Sequence, residues 1–451
     1  MDQSVTLRRD VPTWLYKGLM ASESRAGTTV PGTPRARSAR SAARGLIGQS
    51  IPLAGSIAIY GLIAASQNAT LSLFLVNAVH AVPFLVGLFF TARAAAGMAA
   101  GLATGWISDR MRDRRVMIGL TSLAGTAGAL CLALLRDYTL LLVTGVAFAS
   151  IGAGAMGQMF AYANEFGTAR GRDVTFFMSI MRSVFSAAFI VGPPLWLFIM
   201  AKYGFRPLYL GITGLSLACA VIGRWGLRQV APKVSAAARR GSRERRGVWR
   251  TIRSASMPAR TWLLLGVVLV LSTVNQMFNI DIALHVTKDL GHSPQLVGWM
   301  LSLTAALEIP VMIAAGRAAV RVGRGRLVGM SAVLATVSFC LLPLAASPAA
   351  LLGLAALNGI WQGVALSIPM VMIQDEVPGG VGLSSSLYGA AFGSASMIAG
   401  AVTGVTASAL GYGSVFWVCA ALSAVAALGM LARLALGRRT RPQPVPGAER
   451  A

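Results

Sequence analysis

Apolar residues in this chain fall into long, nearly unbroken runs that are separated by short polar stretches. Each run has about 20 residues, the length that an α-helix needs to cross the hydrocarbon core of a bilayer. The pattern predicts an all-α membrane protein with twelve transmembrane helices in two six-helix bundles. The predicted spans cover residues 47–75, 84–107, 116–135, 140–164, 177–201, 208–227, 261–285, 295–316, 327–345, 350–373, 384–409 and 414–436.

Asparagine and glutamine within these spans are confined to every third one, apart from Gln295 at the start of the eighth. An amide that faces lipid has no water to bond, so it needs a protein partner or an aqueous cavity. We therefore expect spans one, four, seven and ten to surround a polar pathway, as in a transporter. The predicted substrate-binding residues are Gln67, Asn68, Gln158, Tyr162, Asn275, Gln276, Asn279, Asn358, Trp361 and Gln362.

Several of these side chains share a helix face. Asn358, Trp361 and Gln362 stand at i, i+3 and i+4, and Gln158 and Tyr162 at i and i+4. Trp361 lies in the middle of its span, away from the interfacial level where tryptophans usually anchor. An aromatic ring with several amides suits a sugar, because the ring stacks on the apolar CH face while the amides bond hydroxyls. For any single amide, an interhelical hydrogen bond is an equal alternative.

The formal net charge of +25 is unevenly distributed. Of the basic residues outside the spans, Arg136, Lys202, Arg206 and Lys288 fall in loops on one side, and the others lie in the tails and alternate loops. This asymmetry predicts a multi-pass protein of the cell inner membrane with both termini in the cytoplasm. Nucleic-acid binding would need a folded basic domain with base-stacking aromatics, which the sequence does not contain.

Two arginine-rich polar stretches set the predicted domain boundaries. We expect a disordered cytoplasmic tail at 1–46, a bundle at 47–227, a cytoplasmic linker at 228–260, a second bundle at 261–436 and a tail at 437–451.

The two predicted bundles are related by an offset of 211 residues. It places Gly87 on Gly298 and Asn68 on Asn279, and it also relates Gly105 to Gly316 and Glu165 to Glu376. Six spans in each half keep the orientation the same, as expected for parallel repeats around an axis along the membrane normal.

Four charged residues lie well inside predicted spans: Arg93, Arg182, Asp281 and Glu308. Each costs roughly 2.5–3.5 kcal/mol at mid-helix on insertion scales. Ion pairs between the bases of the first half and the acids of the second would offset that cost, and they are either static or broken as the bundles move. Asp281 and Glu308 are the candidates for carrying a coupling proton.

The loop after the second span carries the predicted cytoplasmic gate, which comprises Gly105, Asp109, Arg110, Arg114 and Arg115. A small residue allows close helix approach, and the acid and arginines can form ion pairs at the helix ends. The sequence here resembles the loop motif of the major facilitator superfamily, with a turn one residue longer. An ordinary basic loop is the alternative.

The histidines His80, His285 and His292 fall near the outer face, where we expect solvated side chains, with pH sensing as the alternative. The four cysteines lie within spans with neither a metal-binding spacing nor a disulfide framework.

Several segments together resemble the bacterial sugar efflux transporters of the major facilitator superfamily, over about residues 50–436. These segments are 67–75, 83–89, 158–161, 181–182, 191–194, 279–281, 307–310 and 374–375. The resemblance implies export of mono- or disaccharides or their analogues, in exchange for protons.

Two other functions stay open at this point. A multidrug efflux transporter of the same fold would have a mostly apolar, aromatic cavity, and a membrane sensor would carry a folded signalling domain. An enzyme is not expected, because no nucleophile–base pair, metal cluster or phosphate loop is identifiable. We expect no cofactor or metal, and a monomer whose partners are the sugar, protons and the lipid bilayer.

Overall fold

The computed structural model describes residues 34–108, 110–111, 113–170, 174–227, 258–377 and 380–439. Asp109 of the predicted gate, residues 228–257 of the predicted linker, and the outer parts of both predicted tails lie outside these ranges.

Twelve helices of the described chain are long and apolar enough to cross a membrane, and each overlaps one predicted span. The predicted all-α membrane architecture is therefore confirmed. The helices are α1 Pro34–Asn77, α2 Pro83–Ser108, α3 Arg114–Leu134, α4 Tyr138–Ala169, α5 Val174–Tyr203, α6 Phe205–Gly226, α7 Ala259–Asp289, α8 Pro294–Val322, α9 Arg324–Leu344, α10 Pro348–Glu376, α11 Gly380–Leu410 and α12 Tyr412–Arg439.

Helix α1 begins earlier than the hydrophobic pattern predicts. It starts at Pro34, inside the segment expected to be disordered, and continues to Asn77. Proline suits the first turn of a helix, and the alanines and arginines that follow have high helix propensity, so the polar composition does not prevent helix formation. By its contacts the chain divides at Pro52: the beginning of α1 belongs to one compact unit, and the chain from Leu53 onward forms the second.

Several turns between helices consist of a single glycine. Gly204, Gly323 and Gly411 have φ angles of 84°, 92° and 84°, which glycine adopts without strain. These residues let the chain reverse direction at once, so consecutive helices are antiparallel and their turns alternate between two sides. We name the side with Asp113 and Gly323 the arginine side, and the side with Gly204 and Gly411 the opposite side.

Helix packing separates the transmembrane helices into two halves. In the first, α3 packs on α4 and α6, and α2 packs on α4; in the second, α9 packs on α10 and α12, and α7 packs on α11 and α12. The halves meet where α2 packs on α11 and where α5 packs on α8.

The halves are in close contact near the opposite side. A Cβ atom on Gly404 of α11 would lie 2.8 Å from the Cα atom of Gly87 in α2. A Cβ atom on Gly298 of α8 would likewise lie 2.8 Å from the Cα atom of Pro194 in α5. Because both distances are shorter than real side chains allow, glycine at Gly404 and Gly298 is what permits the helix backbones to touch.

The same helices are further apart near the arginine side. At Gly105 of α2, Gly316 of α8 and Gly389 of α11, an added Cβ atom would meet no described atom within 4 Å. The expected close helix approach at Gly105 is therefore not present in this conformation. The two halves touch at the opposite side, whereas Gly105, Gly316 and Gly389 near the arginine side make no such contact with the described residues.

Candidate functional site

A polar cavity lies between the two halves. It has a volume of about 190 Å³ and is formed by α1, α2, α7 and α11. A second cavity of about 120 Å³ shares Asn68 and Arg93 with it and extends to Tyr60 and Gln67. The residues that line the larger cavity are Asn68, Phe90, Arg93, Ala94, Gln276, Asn279, Ile280 and Ser396.

Arg93 brings a positive charge into this space. Its guanidinium donates a hydrogen bond to the side-chain oxygen of Gln67, which links α2 to α1. Among the described residues, no carboxylate lies within ion-pair distance of Arg93. The cavity therefore combines amide groups with a positive charge that no acidic side chain neutralises.

Helix α7 supplies the amides of the second half. The Gln276 amide donates to the Ser396 hydroxyl of α11 at 2.9 Å. The Asn279 amide donates to the side-chain oxygen of Asn275 at 2.8 Å. Asn275 itself is buried and does not line the cavity, so its contribution is to orient Asn279. The side-chain oxygen of Asn279 keeps its capacity to accept a hydrogen bond from a ligand.

The structure does not place Gln158 and Tyr162 of α4 on the cavity wall. Gln158 is buried, and its side-chain oxygen accepts hydrogen bonds from Ser108 at 2.5 Å and from Arg114 at 3.2 Å. Tyr162 is buried beside Phe166, with ring centroids 5.9 Å apart. The expected sugar contacts are replaced by protein contacts at the arginine side, because this face of α4 packs against its own half.

The structure also places Trp361, the expected stacking platform, away from the polar cavity. Trp361 is fully buried, its ring lies edge-on to Phe339 of α9 at 5.9 Å, and its indole N–H donates to Asn358 at 2.6 Å. Gln362 is buried too. None of the three residues borders the polar cavity, because this face of α10 packs into the apolar core of the second half instead of facing the first.

The expected ion pairs across the halves are not formed within the described chain. Arg93 bonds Gln67 instead, and Arg182 of α5 has an exposed side chain. Asp281 is fully buried, with Cys419 of α12 within range of its charge, and Glu308 lies within electrostatic range of Tyr388 on α11. The acids face other helices of their own half, so the bases cannot reach them.

The predicted gate residues that the structure describes form contacts within the first half. Arg114 at the start of α3 donates to Glu165 of α4 at 2.7 Å and to the Ser108 hydroxyl of α2 at 2.8 Å. Arg110 lies over the Trp106 ring, 3.4 Å from its centroid. These contacts join α2, α3 and α4 and do not cross to the second half in this conformation.

Arg115 and Asp113 form a further pair at the beginning of α3. The Asp113 carboxylate caps the helix by accepting the Arg115 backbone N–H at 3.0 Å, and it also binds the Arg115 guanidinium at 2.7 Å. These hydrogen bonds lower the pKa of Asp113 below its usual value. Arg115 also donates to the carbonyl of Leu227 at 3.0 Å, so it links α3 to the residue after α6.

Sequence reasoning missed the equivalent contacts of the second half. Arg324 pairs with Asp375, and Arg433 of α12 pairs with Glu376, which also accepts a hydrogen bond from Thr261 of α7 at 3.0 Å. The Arg114–Glu165 and Arg324–Asp375 pairs both join residues that are 51 positions apart. That shared spacing was a signal available in the sequence.

Two other residues differ from what the sequence indicates. His285, expected to be solvated, is 3% exposed and lies beneath α12. Ser396 lines the cavity, but serine is common in these helices, so no sequence signal distinguishes it.

The sequence profile of the Major Facilitator Superfamily matches residues 53–280 and 264–451 of this chain. The chain belongs to this superfamily. Sugar efflux transporter A of Escherichia coli is 32% identical over 370 residues, which is 81% of this chain and 91% of that protein. Sugar efflux transporter B of Salmonella typhimurium is 33% identical over 377 residues, 83% of this chain and 92% of that protein. The relatives are transporters, so the expectation that this superfamily member is not an enzyme is confirmed.

Solved structures of the superfamily have the same fold. The nucleoside transporter NupG matches with a TM-score of 0.71 and 14% identity, over 86% of this chain and 99% of that one. A POT family transporter, in complex with a thioalcohol-conjugated peptide, matches with a TM-score of 0.69 and 13% identity, over 88% of this chain and 97% of that one. At such low identity the likeness supports the two-bundle fold alone.

Proposed function

We propose that this protein is a secondary active transporter that exports sugars or sugar analogues. The observation that carries the proposal is the cavity between the halves, whose walls present amides, a hydroxyl and a guanidinium. The two sugar efflux relatives, which match over most of their length, supply the substrate class. A sugar offers hydroxyls that donate and accept, which is what these amide groups can satisfy.

The working residues of this site are fewer than the sequence predicts. Asn68 and Gln67 bind from the first half, and Gln276, Asn279 and the newly found Ser396 bind from the second. A sugar in this position contacts both halves. Its binding energy is therefore available to change how the halves sit against each other, which alternating access requires.

The conformation and the charge asymmetry support export as the direction of transport. The halves touch at the opposite side, and the contacts at Gly105 and Gly316 of the arginine side are absent among the described residues, which supports access to the cavity from the arginine side. The positive-inside rule favours the cytoplasm of a cell inner membrane for that side and both termini. The described state then loads sugar from the cytoplasm. Reclosing at the arginine side and opening at Gly87 and Gly298 releases it outside.

We propose proton antiport as the energy source, with Asp281 and Glu308 as the proton carriers and the monomer as the working unit. Both acids lie in the second half without an ion-pair partner among the described residues. A buried carboxylate without a partner is costly to keep charged, which favours proton uptake.

Arg93 favours a second candidate within the same class, the export of anionic sugars such as hexuronates. A guanidinium binds a carboxylate by charge-assisted hydrogen bonds, and no described acid occupies it. Multidrug efflux is less well supported, because the polar lining of the larger cavity suits hydroxyls better than apolar drugs.

The test is sugar counterflow in proteoliposomes, with a panel of neutral sugars, hexuronates and cationic drugs. Asn279→Ala should lower exchange of the preferred sugar strongly. The matched control is Asn164→Ala, which removes an exposed amide of α4 that does not border the cavity. Exchange of drugs without any sugar, or equal loss in both variants, would contradict the proposal.

A further inference from the structure

Helix α7 presents chemically different groups on two faces. One face lines the polar cavity between the halves with Gln276, Asn279 and Ile280; we call this space the sugar cavity. Asp281 and His285 stand on another face, because each residue turns the helix by about 100° and Asp281 is therefore about 200° from Asn279. This second face packs against α12, where Phe416 lies edge-on to the His285 ring with centroids 5.2 Å apart.

Asp281 has an environment that does not suit a permanently charged carboxylate. Its side chain is 0% exposed, and both carboxylate oxygens lack a hydrogen-bond partner in the described chain. The titratable groups within range of its charge are Asp289 on its own helix and Cys419 and Tyr412 on α12. No basic group from the described helices compensates it.

His285 stands one turn further along α7 and connects to the surface. Its Nε2 atom is buried without a partner, whereas its Nδ1 atom lies 2.9 Å from the carboxylate of Asp289. The Asp289 side chain is 36% exposed at the opposite side, and it accepts the Gly413 backbone N–H of α12 at 2.9 Å. Asp281, His285 and Asp289 thus follow one another at i, i+4 and i+8, from a fully buried acid to an accessible one.

The packing of α12 leaves room for the imidazole at one position. A Cβ atom on Gly413 would lie 3.2 Å from Cε1 of His285, so glycine lets the ring lie against the helix backbone. Phe416 closes the other side of the ring and stacks on Phe339, with centroids 6.4 Å apart. The imidazole is thereby held between an apolar wall and Asp289.

We propose that Asp289, His285 and Asp281 form a proton relay from the opposite side of the membrane to the interface of α7 and α12, separate from the sugar cavity. The inference rests on the proposed proton antiport and names its outer access route. Asp289 takes a proton from an external hydronium ion and passes it to Nδ1 of His285, whose ring carries its own proton on Nε2 at this stage. The Nε2 proton of His285 then moves to the carboxylate of Asp281, which becomes neutral, and the imidazole is left with its proton on Nδ1.

Nε2 of His285 and the Asp281 carboxylate form no hydrogen bond in this conformation. The Asp281 side chain must therefore rotate towards Nε2 before the proton is transferred. Asn279 and Asp281 are two residues apart on one helix. A movement of α7 that follows sugar binding therefore displaces the acceptor of the relay as well. This shared helix couples the two sites without any shared cavity.

The first test follows the proton without any substrate. The full-length protein is reconstituted in lipid vesicles, and the infrared carbonyl band of protonated Asp281, assigned by its loss in Asp281→Asn, is recorded after an external acid jump. His285→Gln keeps a hydrogen-bonding side chain but cannot relay a proton. It should slow the rise of the band by at least about tenfold without changing its final height.

The matched control is His292→Gln. His292 is another histidine near the same end of α7, and it bonds the Ala346 carbonyl instead of an acid of the relay. An unchanged rate in His285→Gln, equal slowing in both variants, or no band lost in Asp281→Asn would overturn the relay.

The second test separates the relay from sugar transport. Counterflow of sugar needs no net proton movement, whereas accumulation driven by a pH gradient does. His285→Gln should keep counterflow and lose gradient-driven accumulation by about tenfold or more. Equal loss of both activities would assign His285 a structural role and overturn the relay. Absence of counterflow in the wild type would refute the proposed sugar function, while the infrared test would still decide the relay.

Discussion

Gly87 and Gly298 stand at equivalent positions of the two halves, 211 residues apart, and each lies where its helix touches the backbone of the opposite half. The next pair of the same repeat, Gly105 and Gly316, has open space around both positions. The repeat therefore marks the two ends of the interface between the halves. The glycines at one end are in close contact with the other half, and those at the other end have no described atom within 4 Å of an added Cβ.

Gly298→Leu should shift the protein towards a state that is open at the opposite side. The leucine side chain cannot fit against Pro194 of α5, and overpacking of this kind costs about 1–3 kcal/mol in the closed contact. The measurement is labelling of a cysteine at the cavity residue Ser396 by an impermeant maleimide, in a protein whose four native cysteines have been replaced. We expect labelling from the arginine side before the change and from the opposite side after it.

Gly316→Leu is the matched control for this shift, because the same side chain enters open space. It should leave the labelling pattern as it was. If Gly298→Leu and Gly316→Leu label alike, the contact at Gly298 does not set the conformational equilibrium.

Arg93→Gln should weaken the binding of anionic sugars more than that of neutral ones. The variant keeps a hydrogen-bonding group beside Gln67 but removes the positive charge. A hydrogen bond to a charged group is worth about 1.5–3 kcal/mol, which corresponds to about a 10- to 100-fold loss of affinity. The measurement compares the wild type and the variant for inhibition of counterflow by hexuronates and by the matching neutral hexoses. The control is Arg182→Gln, which removes the charge of an exposed arginine. Equal losses for both sugar types would show that Arg93 has a structural role alone.

The sequence pattern predicts which helices carry polar groups far better than it predicts which way those groups face. All twelve spans follow from length and hydropathy, because a bilayer imposes both. Of the four amide-bearing spans, α1 and α7 line the cavity between the halves. It does not do so for α10, where the Asn358 oxygen accepts a hydrogen bond from Trp361 of the same helix, because sequence alone does not tell an amide bonded to a neighbour from one that faces a cavity.

The direction of a side chain around its helix depends on tertiary packing. Asn279 and Asp281 are two residues apart, but they lie on different faces of α7. The ion pairs expected between the halves fail for the same reason. Charge alone does not show that Arg93 is already bonded to Gln67 or that Asp281 faces α12.

Trp361→Ala should reduce stability while leaving the sugar affinity of the folded protein unchanged. The indole is fully buried against Phe339, and removing a buried tryptophan side chain costs about 3–5 kcal/mol. The measurement combines a thermal unfolding curve in detergent with the concentration dependence of counterflow. Trp361→Phe, which retains most of the ring volume, should lose less stability. A large loss of sugar affinity in Trp361→Phe at near-normal stability would return Trp361 to the binding site.

The motif of the gate loop predicts that its charged residues form ion pairs, but it does not predict which residues are their partners. Arg114 and Arg115 form ion pairs at the end of a helix, and their partners, Glu165 and Asp113, belong to their own half. The second half keeps an arginine and an acid at the same spacing, in Arg324 and Asp375, although the loop motif itself is poorly preserved there. Such an ion pair can form without the loop motif, because it requires two opposite charges at the right distance and no particular loop sequence.

Asp113→Asn should lower stability at neutral pH, and the difference from the wild type should narrow as the pH falls below the ordinary carboxyl pKa. The hydrogen bonds from Arg115 lower the pKa of Asp113 in the folded protein, whereas the unfolded chain has the ordinary value of about 3.9. The ionised carboxylate therefore stabilises the fold fully above that ordinary pKa, and the contribution is lost as the pH falls through the lowered one. Asparagine retains the helix cap without the charge, so the variant isolates the ion pair. The measurement is the Tm of both proteins in detergent from neutral pH down to about pH 3. Arg115→Gln removes the partner charge, so its Tm difference from the wild type should narrow over the same interval. If the Tm difference from the wild type stays constant in both variants, the pair at the start of α3 does not stabilise the folded state through its charge.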